Sequence, residues 1–205
     1  MPVMFTDKNI VIRKGFPEDA QDGSKLILLS APDFFPAIFG SGVKNVIQNL
    51  FPQRKNLFSF EHSYFIEVDG NKAGMIFGYD GKTEREEGWR TGLLMIKYMK
   101  LGFIARIPSL LKALRAAERI EDNEYYISNL AVYPEFRGIN LGTKLLLKIE
   151  EEAKSGGTEK IVLDVGVDNQ GAIRLYNRLG YTIVGKPRRA KISRKVFAFY
   201  RMVKN

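Results

Sequence analysis

At 205 residues, 45% of them hydrophobic and 12% aromatic, the chain holds enough apolar side chain for one elaborated domain over 1–205 with a buried core. It has no cysteine and a single histidine, His62, which excludes disulfides, thiolate metal sites, a cysteine nucleophile and a His-rich metal site, so no metal is expected. The formal charge of +9 favours anionic partners, which include nucleic acid, an anionic membrane surface and phosphorylated cofactors, and charge alone does not choose among them.

The first residues lack an apolar core of signal-peptide length. The richest apolar stretch, 92–111, is interrupted by Lys97, Lys100 and Arg106. A cytoplasmic protein without a membrane span is therefore expected. Residues 9–14 alternate as a first strand, and Gly15-Phe16-Pro17 breaks it before Glu18 and Asp19 open a helix. Helical spacing covers 19–30 and 42–51, with Ala31-Pro32-Asp33-Phe34-Phe35-Pro36 read as an apolar joint between them. Two strands, 63–69 and 72–79, flank Asp69-Gly70-Asn71, a turn with hairpin chemistry.

The character then changes. After Glu84, Arg85, Glu86 and Glu87, apolar residues recur at helical spacing from Leu93 to Leu101 and around Pro108, which predicts two insert helices within about 84–121. They either cover the sheet, pack in a homodimer, or close as a lid over a substrate pocket. Strand and helix alternate thereafter: strand 125–132, helix 141–155, strand 160–167, helix 172–179, and strands 181–186 and 195–202. Residues 186–195 hold six basic residues and no acid, and read either as a solvated loop between strands or as an anion contact.

The most informative stretch is 125–143. Ser128-Asn129-Leu130-Ala131-Val132 is strand-like, Pro134 ends the pairing, and Arg137-Gly138-Ile139-Asn140-Leu141-Gly142 leads into the helical run from Thr143. Such a strand-turn-helix aims unpaired backbone N–H groups at an anion.

Those six residues resemble the Arg/Gln-x-x-Gly-x-Gly/Ala signature of the GNAT superfamily of N-acyltransferases. Asn169 through Tyr181, with Ala172, Leu175, Tyr176 and Gly180 in register, resembles that family's Asn-x-x-Ala-x-x-Leu-Tyr-x-x-x-Gly-Phe/Tyr segment, and Leu163-Asp164-Val165 fits its fifth strand. The resemblance covers about 125–186. It implies an α+β GNAT fold, with a mixed central sheet of about six or seven strands flanked by helices and the insert between the third and fourth strands.

Several site assignments follow from the resemblance. The co-substrate would be acetyl-CoA, its pyrophosphate cradled by Arg137, Gly138, Ile139, Asn140, Leu141, Gly142 and Thr143 and its pantetheine arm lying along Leu130, Ala131 and Val132 where the fourth and fifth strands splay; Asn169 would join the cofactor site. The acceptor would be a primary amine of a small molecule or protein, attacking directly in a ternary complex. Tyr176 matches the family's proton donor to the departing thiolate, and a phenol with an ordinary pKa of about 10 is protonated at neutral pH. Many members carry a carboxylate on the fourth strand where this chain has Ser128 and Asn129, so Asp164 and Glu61 are the candidate bases. Asn140 stands where the family usually has glycine; asparagine is among the few residues that tolerate left-handed backbone.

Two readings from other classes accompany this one. A non-catalytic CoA-binding or regulatory module on the same fold would keep the turn without the chemistry. A nucleic-acid-binding protein is suggested by the charge, but no helix-turn-helix or aromatic RNA-binding signature is present, and nucleic acid is not expected as a partner. Apolar residues on the insert are compatible with a homodimer.

Overall fold

Among the described residues seven strands form one mixed sheet: β1 (Ile10–Lys14), β2 (Ser63–Val68), β3 (Asn71–Asp80), β4 (Glu124–Val132), β5 (Lys160–Gly166), β6 (Thr182–Ile192) and β7 (Lys195–Lys204), hydrogen-bonded in the order β1-β2-β3-β4-β5-β7-β6. This is a computed structural model, and it describes residues 8–99, 102–116 and 119–205. The readings placed on the first seven residues and on Leu101 lie outside the described residues. Among the described residues seven α-helices flank the sheet: α1 (Ala20–Ser30), α2 (Phe34–Phe39), α3 (Val43–Leu50), α4 (Gly81–Met99), α5 (Gly102–Ala116), α6 (Leu141–Ser155) and α7 (Gln170–Arg178).

All pairings are antiparallel except β4 with β5. Two apolar cores sandwich the sheet. On one face Leu145, Leu146 and Ile149 of α6 and Ile173 and Tyr176 of α7 meet Ile76, Ile127, Leu163 and Met202. On the other, Leu26 and Ile27 of α1 and Val43 and Ile47 of α3 meet Phe65, Met75, Phe77 and Ala131. The β2–β3 turn has Asp69 and Gly70 at φ 51° and 78°, the doubly left-handed conformation that matches the twist of a two-residue hairpin. Arg13 on β1 and Lys72 on β3 anchor the start of α1 at 2.7 and 2.8 Å from Asp19. Burial pushes the Asp19 carboxyl up, but Arg13, Lys72 and the Phe16 N–H outweigh it and hold the group at about 2.

Two expectations are corrected. The apolar joint contains a helix, α2: Pro36 falls in its first turn, where a missing N–H breaks no helical bond. The basic stretch 186–195 is strand rather than loop. β6 runs on to Ile192 and turns at Ser193 and Arg194 into β7. Ala190 and Ile192 point inward between the exposed Arg189 and Lys191, so the charge run hides a two-residue alternation.

The insert forms two helices. Asp80 starts α4 by accepting the Thr83 N–H at 2.7 Å. α4 packs on α3, and α5 covers α2 and β6 through Leu110 and Ala113, so the pair acts as a cover on the α1–α3 side of the sheet. Pro108 lies inside α5, which continues past it.

Candidate functional site

Parallel pairing of β4 with β5 extends only from Glu124↔Lys160 to Ile127↔Leu163. Beyond that point residues 129–132 of β4 stay paired with β3, while β5 continues with β7 as its partner. The two central strands thus part as a fork. The cause lies in β4: Phe77 faces Asn129 and Gly78 faces Ile127, which leaves Ser128 as an extra residue. A bulge of this kind bends and twists its strand, here away from β5. Leu130, Ala131 and Val132 form the arm of the fork that turns from β5.

At the end of that arm the chain turns into α6. A short 3-10 turn, Pro134–Phe136, hands over to Arg137, whose Nε donates to the Val132 carbonyl at 3.0 Å and ties the turn to the strand. Gly138 sits at φ 85° and Asn140 at φ 62°, ψ 20°; two left-handed residues within three curl the backbone so that successive N–H groups face the same way. Arg137, Gly138 and Asn140 are exposed, and the first N–H groups of α6, on Leu141, Gly142 and Thr143, have no partner within the helix by its geometry. A methyl group on Gly142 would stand 3.3 Å from Leu175 of α7, so glycine there lets the two helices approach. The residues expected to cradle a pyrophosphate are therefore contiguous and conformationally suited to an anion, with Arg137, Gly138 and Asn140 exposed and the Leu141 side chain turned into the core.

Across the fork, Asn169 caps α7, its Oδ1 accepting the Ala172 N–H at 3.1 Å. Tyr176 lies one to two turns further on, 7% exposed, its ring edge-on to Tyr181 at 5.8 Å. Burial pushes its phenol up to about 12, so the hydroxyl is a proton donor over the whole neutral range.

The two base candidates have different surroundings. Asp164 follows the last residue of β5 paired to β4. It forms an ion pair with Arg188 of β6, lies 3.9 Å from Arg201 of β7, and accepts the Tyr126 hydroxyl at 3.5 Å. Glu61 bonds Arg54 at 2.9 Å, the Lys55 N–H at 2.9 Å and the Ser59 hydroxyl at 3.2 Å, and so ties together the loop that follows α3.

Sequence reasoning names Ser128, Asn129, Phe34 and His62 separately but does not bring them together as the polar and aromatic cluster that shares this face. Asn129 donates to Ser30 of α1 at 2.7 Å and accepts the Ser128 hydroxyl at 2.9 Å. Tyr79 hydrogen-bonds Ser128, and burial raises the phenols of both Tyr79 and Tyr126 well above their ordinary value. Phe34 packs edge-on against Phe197 and Phe199, at 5.3 and 5.1 Å, and closes the side toward β7. His62 meets Glu87 of the insert at 2.8 Å. The available signal is the polar pair Ser128-Asn129 directly after Tyr125-Tyr126-Ile127, where the bulge breaks the two-residue period of the strand.

A profile described as the acetyltransferase (GNAT) family matches residues 33–181. The uncharacterized N-acetyltransferase MJ1207 of Methanocaldococcus jannaschii is 37% identical over 81 residues, which are 40% of this chain and 34% of that relative, so the match spans about a third of the relative's length. Among solved structures, an N-acetyltransferase from Staphylococcus aureus Mu50 superposes with a TM-score of 0.67 at 23% identity, covering 95% of this chain and all of that one. The PaiA N-acetyltransferase of Thermoplasma acidophilum in complex with coenzyme A superposes at 0.55 and 15% identity over 96% and 99% of the chains. Both structural likenesses are of fold.

Proposed function

The chain belongs to the acetyltransferase (GNAT) family, and we propose that it transfers an acetyl group from acetyl-CoA to a primary amine of a small molecule or protein, by direct attack with both substrates bound. The observation that carries this reading is the fork between β4 and β5 ending at an exposed turn with left-handed Gly138 and Asn140. Leu130, Ala131 and Val132 would hold the pantetheine arm by strand-like hydrogen bonds. Residues 137–143 would hold the pyrophosphate, with the Asn169 side chain alongside. Acetyl-CoA supplies an activated acyl group and a thiolate leaving group.

The chain's own groups support the following roles. Tyr176 holds a proton on a phenol that burial keeps neutral, and donates it, or a hydrogen bond, to the departing sulfur. The backbone N–H near Val132 polarises the acyl carbonyl. Asp164, already engaged with two arginines, orients the acceptor rather than taking its proton, and Glu61 holds its loop. The amine then loses its proton to water or binds in its neutral form.

Calorimetric titration with acetyl-CoA, paired with thioester consumption measured over a panel of amines, tests the reading. Micromolar to millimolar binding with amine-dependent consumption is expected. Absence of binding up to millimolar acetyl-CoA removes the proposal, and binding without consumption by any amine transfers it to the non-catalytic module.

A further inference from the structure

We propose that the helical insert docks the protein on an anionic membrane surface, through the apolar outer faces of α4 and α5 and the cations beside them. A helix that merely roofs a sheet needs one apolar face. α4 already turns one inward, where Met95 with Leu94 and Tyr98 meets Val46 and Leu50. α5 does the same, with Leu110 and Ala113 against Ile38, Ala190 and Ile192. Each helix carries a second apolar row that faces solvent. On α4 these are Trp89, Leu93 and Ile96, exposed by 66%, 55% and 48%; on α5 they are Ile104, Ile107 and Leu111, exposed by 65%, 38% and 46%. Steps of three and four residues keep each row on one side of its helix.

Charge identifies the occupant. Residues 88–116 contain Arg90, Lys97, Lys100, Arg106, Lys112 and Arg115 and no acid, in a chain of net charge +9. Arg90, Lys97 and Lys112 are exposed. A second copy would bring the same unbalanced positive charge against itself, whereas an anionic bilayer meets both features: its headgroups take the cations while tryptophan and branched side chains enter the acyl boundary. Among the described residues no helix is long and apolar enough to cross a membrane, so the contact is with its surface.

Trp89, the only tryptophan of the chain, sits in the outer row and reports on docking directly. The full chain is floated with vesicles of phosphatidylcholine alone and of three parts phosphatidylcholine to one part phosphatidylglycerol, and tryptophan emission is recorded. Binding to the anionic vesicles only is expected, with blue-shifted emission and partition that weakens as salt rises. Lys97→Gln with Lys112→Gln lowers partition about 25-fold, at about five-fold for each cation near the surface. Leu93→Glu with Ile107→Glu abolishes it, and both double variants keep the thermal midpoint of the parent. No partition at millimolar anionic lipid overturns the proposal, as does partition that survives both double variants. So does a particle of twice the chain's mass in lipid-free solution that Leu93→Glu splits, since the face would then belong to a second copy.

Discussion

Replacing Tyr176 by phenylalanine deletes one oxygen from a side chain that is 7% exposed and leaves the ring in place against Tyr181. If the hydroxyl supplies the proton or hydrogen bond that the leaving sulfur needs, turnover falls about 10²- to 10⁴-fold, which corresponds to about 3–5 kcal/mol on the barrier. Folding at neutral pH hardly changes. The hydroxyl also leaves a signature in alkaline stability. Burial favours the neutral phenol, so the folded pKa is raised from 10.0 to about 12. Below pH 10 the group is protonated in folded and unfolded chains alike, and its contribution is fully present. As pH climbs from 10 toward 12 the unfolded chain ionises first and that contribution drains away, the loss reaching about 2 kcal/mol at pH 12. At pH 11 the loss is about 1 kcal/mol, and Tyr176→Phe is spared it. Denaturant midpoints of both proteins at pH 7 and pH 11 isolate this difference, because the other buried tyrosines are common to both. Steady-state kinetics between pH 6 and 9 supply the catalytic half, where the parent shows no alkaline limb from Tyr176. A variant with unchanged kcat across that range retires Tyr176 as the acid, and a fall in kcat matched by an equal loss of folded protein reduces it to core packing.

Asn140→Gly is expected to leave folding stability unchanged or slightly raised, while Asn140→Val costs about 1–2 kcal/mol for a left-handed branched residue and weakens acetyl-CoA binding in proportion; thermal denaturation and calorimetry read both. Full acetyl-CoA affinity in a folded Asn140→Val variant would show that the turn is not the cradle. Asp164→Asn removes the carboxylate between Arg188 and Arg201, costs about 3 kcal/mol of stability, and raises the acceptor KM while the acidic limb of the pH–rate profile persists. Loss of that limb in Asp164→Asn, or in Glu61→Gln, would identify the base instead.

Much of this architecture was legible because it is written in short-range signals. Asp69-Gly70 sets a doubly left-handed hairpin within two residues. Gly138 and Asn140 curl the turn before α6, and asparagine's tolerance of that conformation was readable from its type alone. Segments that failed had two meanings at once. Arg188 through Lys195 shows charge more loudly than its two-residue alternation, so the expected strand ends at Lys186, and Pro36 closes the expected apolar joint although it occupies the first turn of α2. The cluster around the fork was invisible for a different reason: Asn129 meets Ser30, Tyr126 meets Asp164, and Arg201 meets Glu124 only after the sheet has brought distant segments together. One inserted residue controls that encounter. Without Ser128 as a bulge, β4 would keep one two-residue alternation from Tyr125 to Val132, and Leu130 and Val132 would change faces relative to Tyr125 and Ile127. With it, Ile127 and Leu130 both reach the α6 core, Asn129 and Ala131 both face α1, and the strand bends away from β5. The local irregularity that defeats a periodic reading of β4 is thus also what opens the fork on which the proposed chemistry depends.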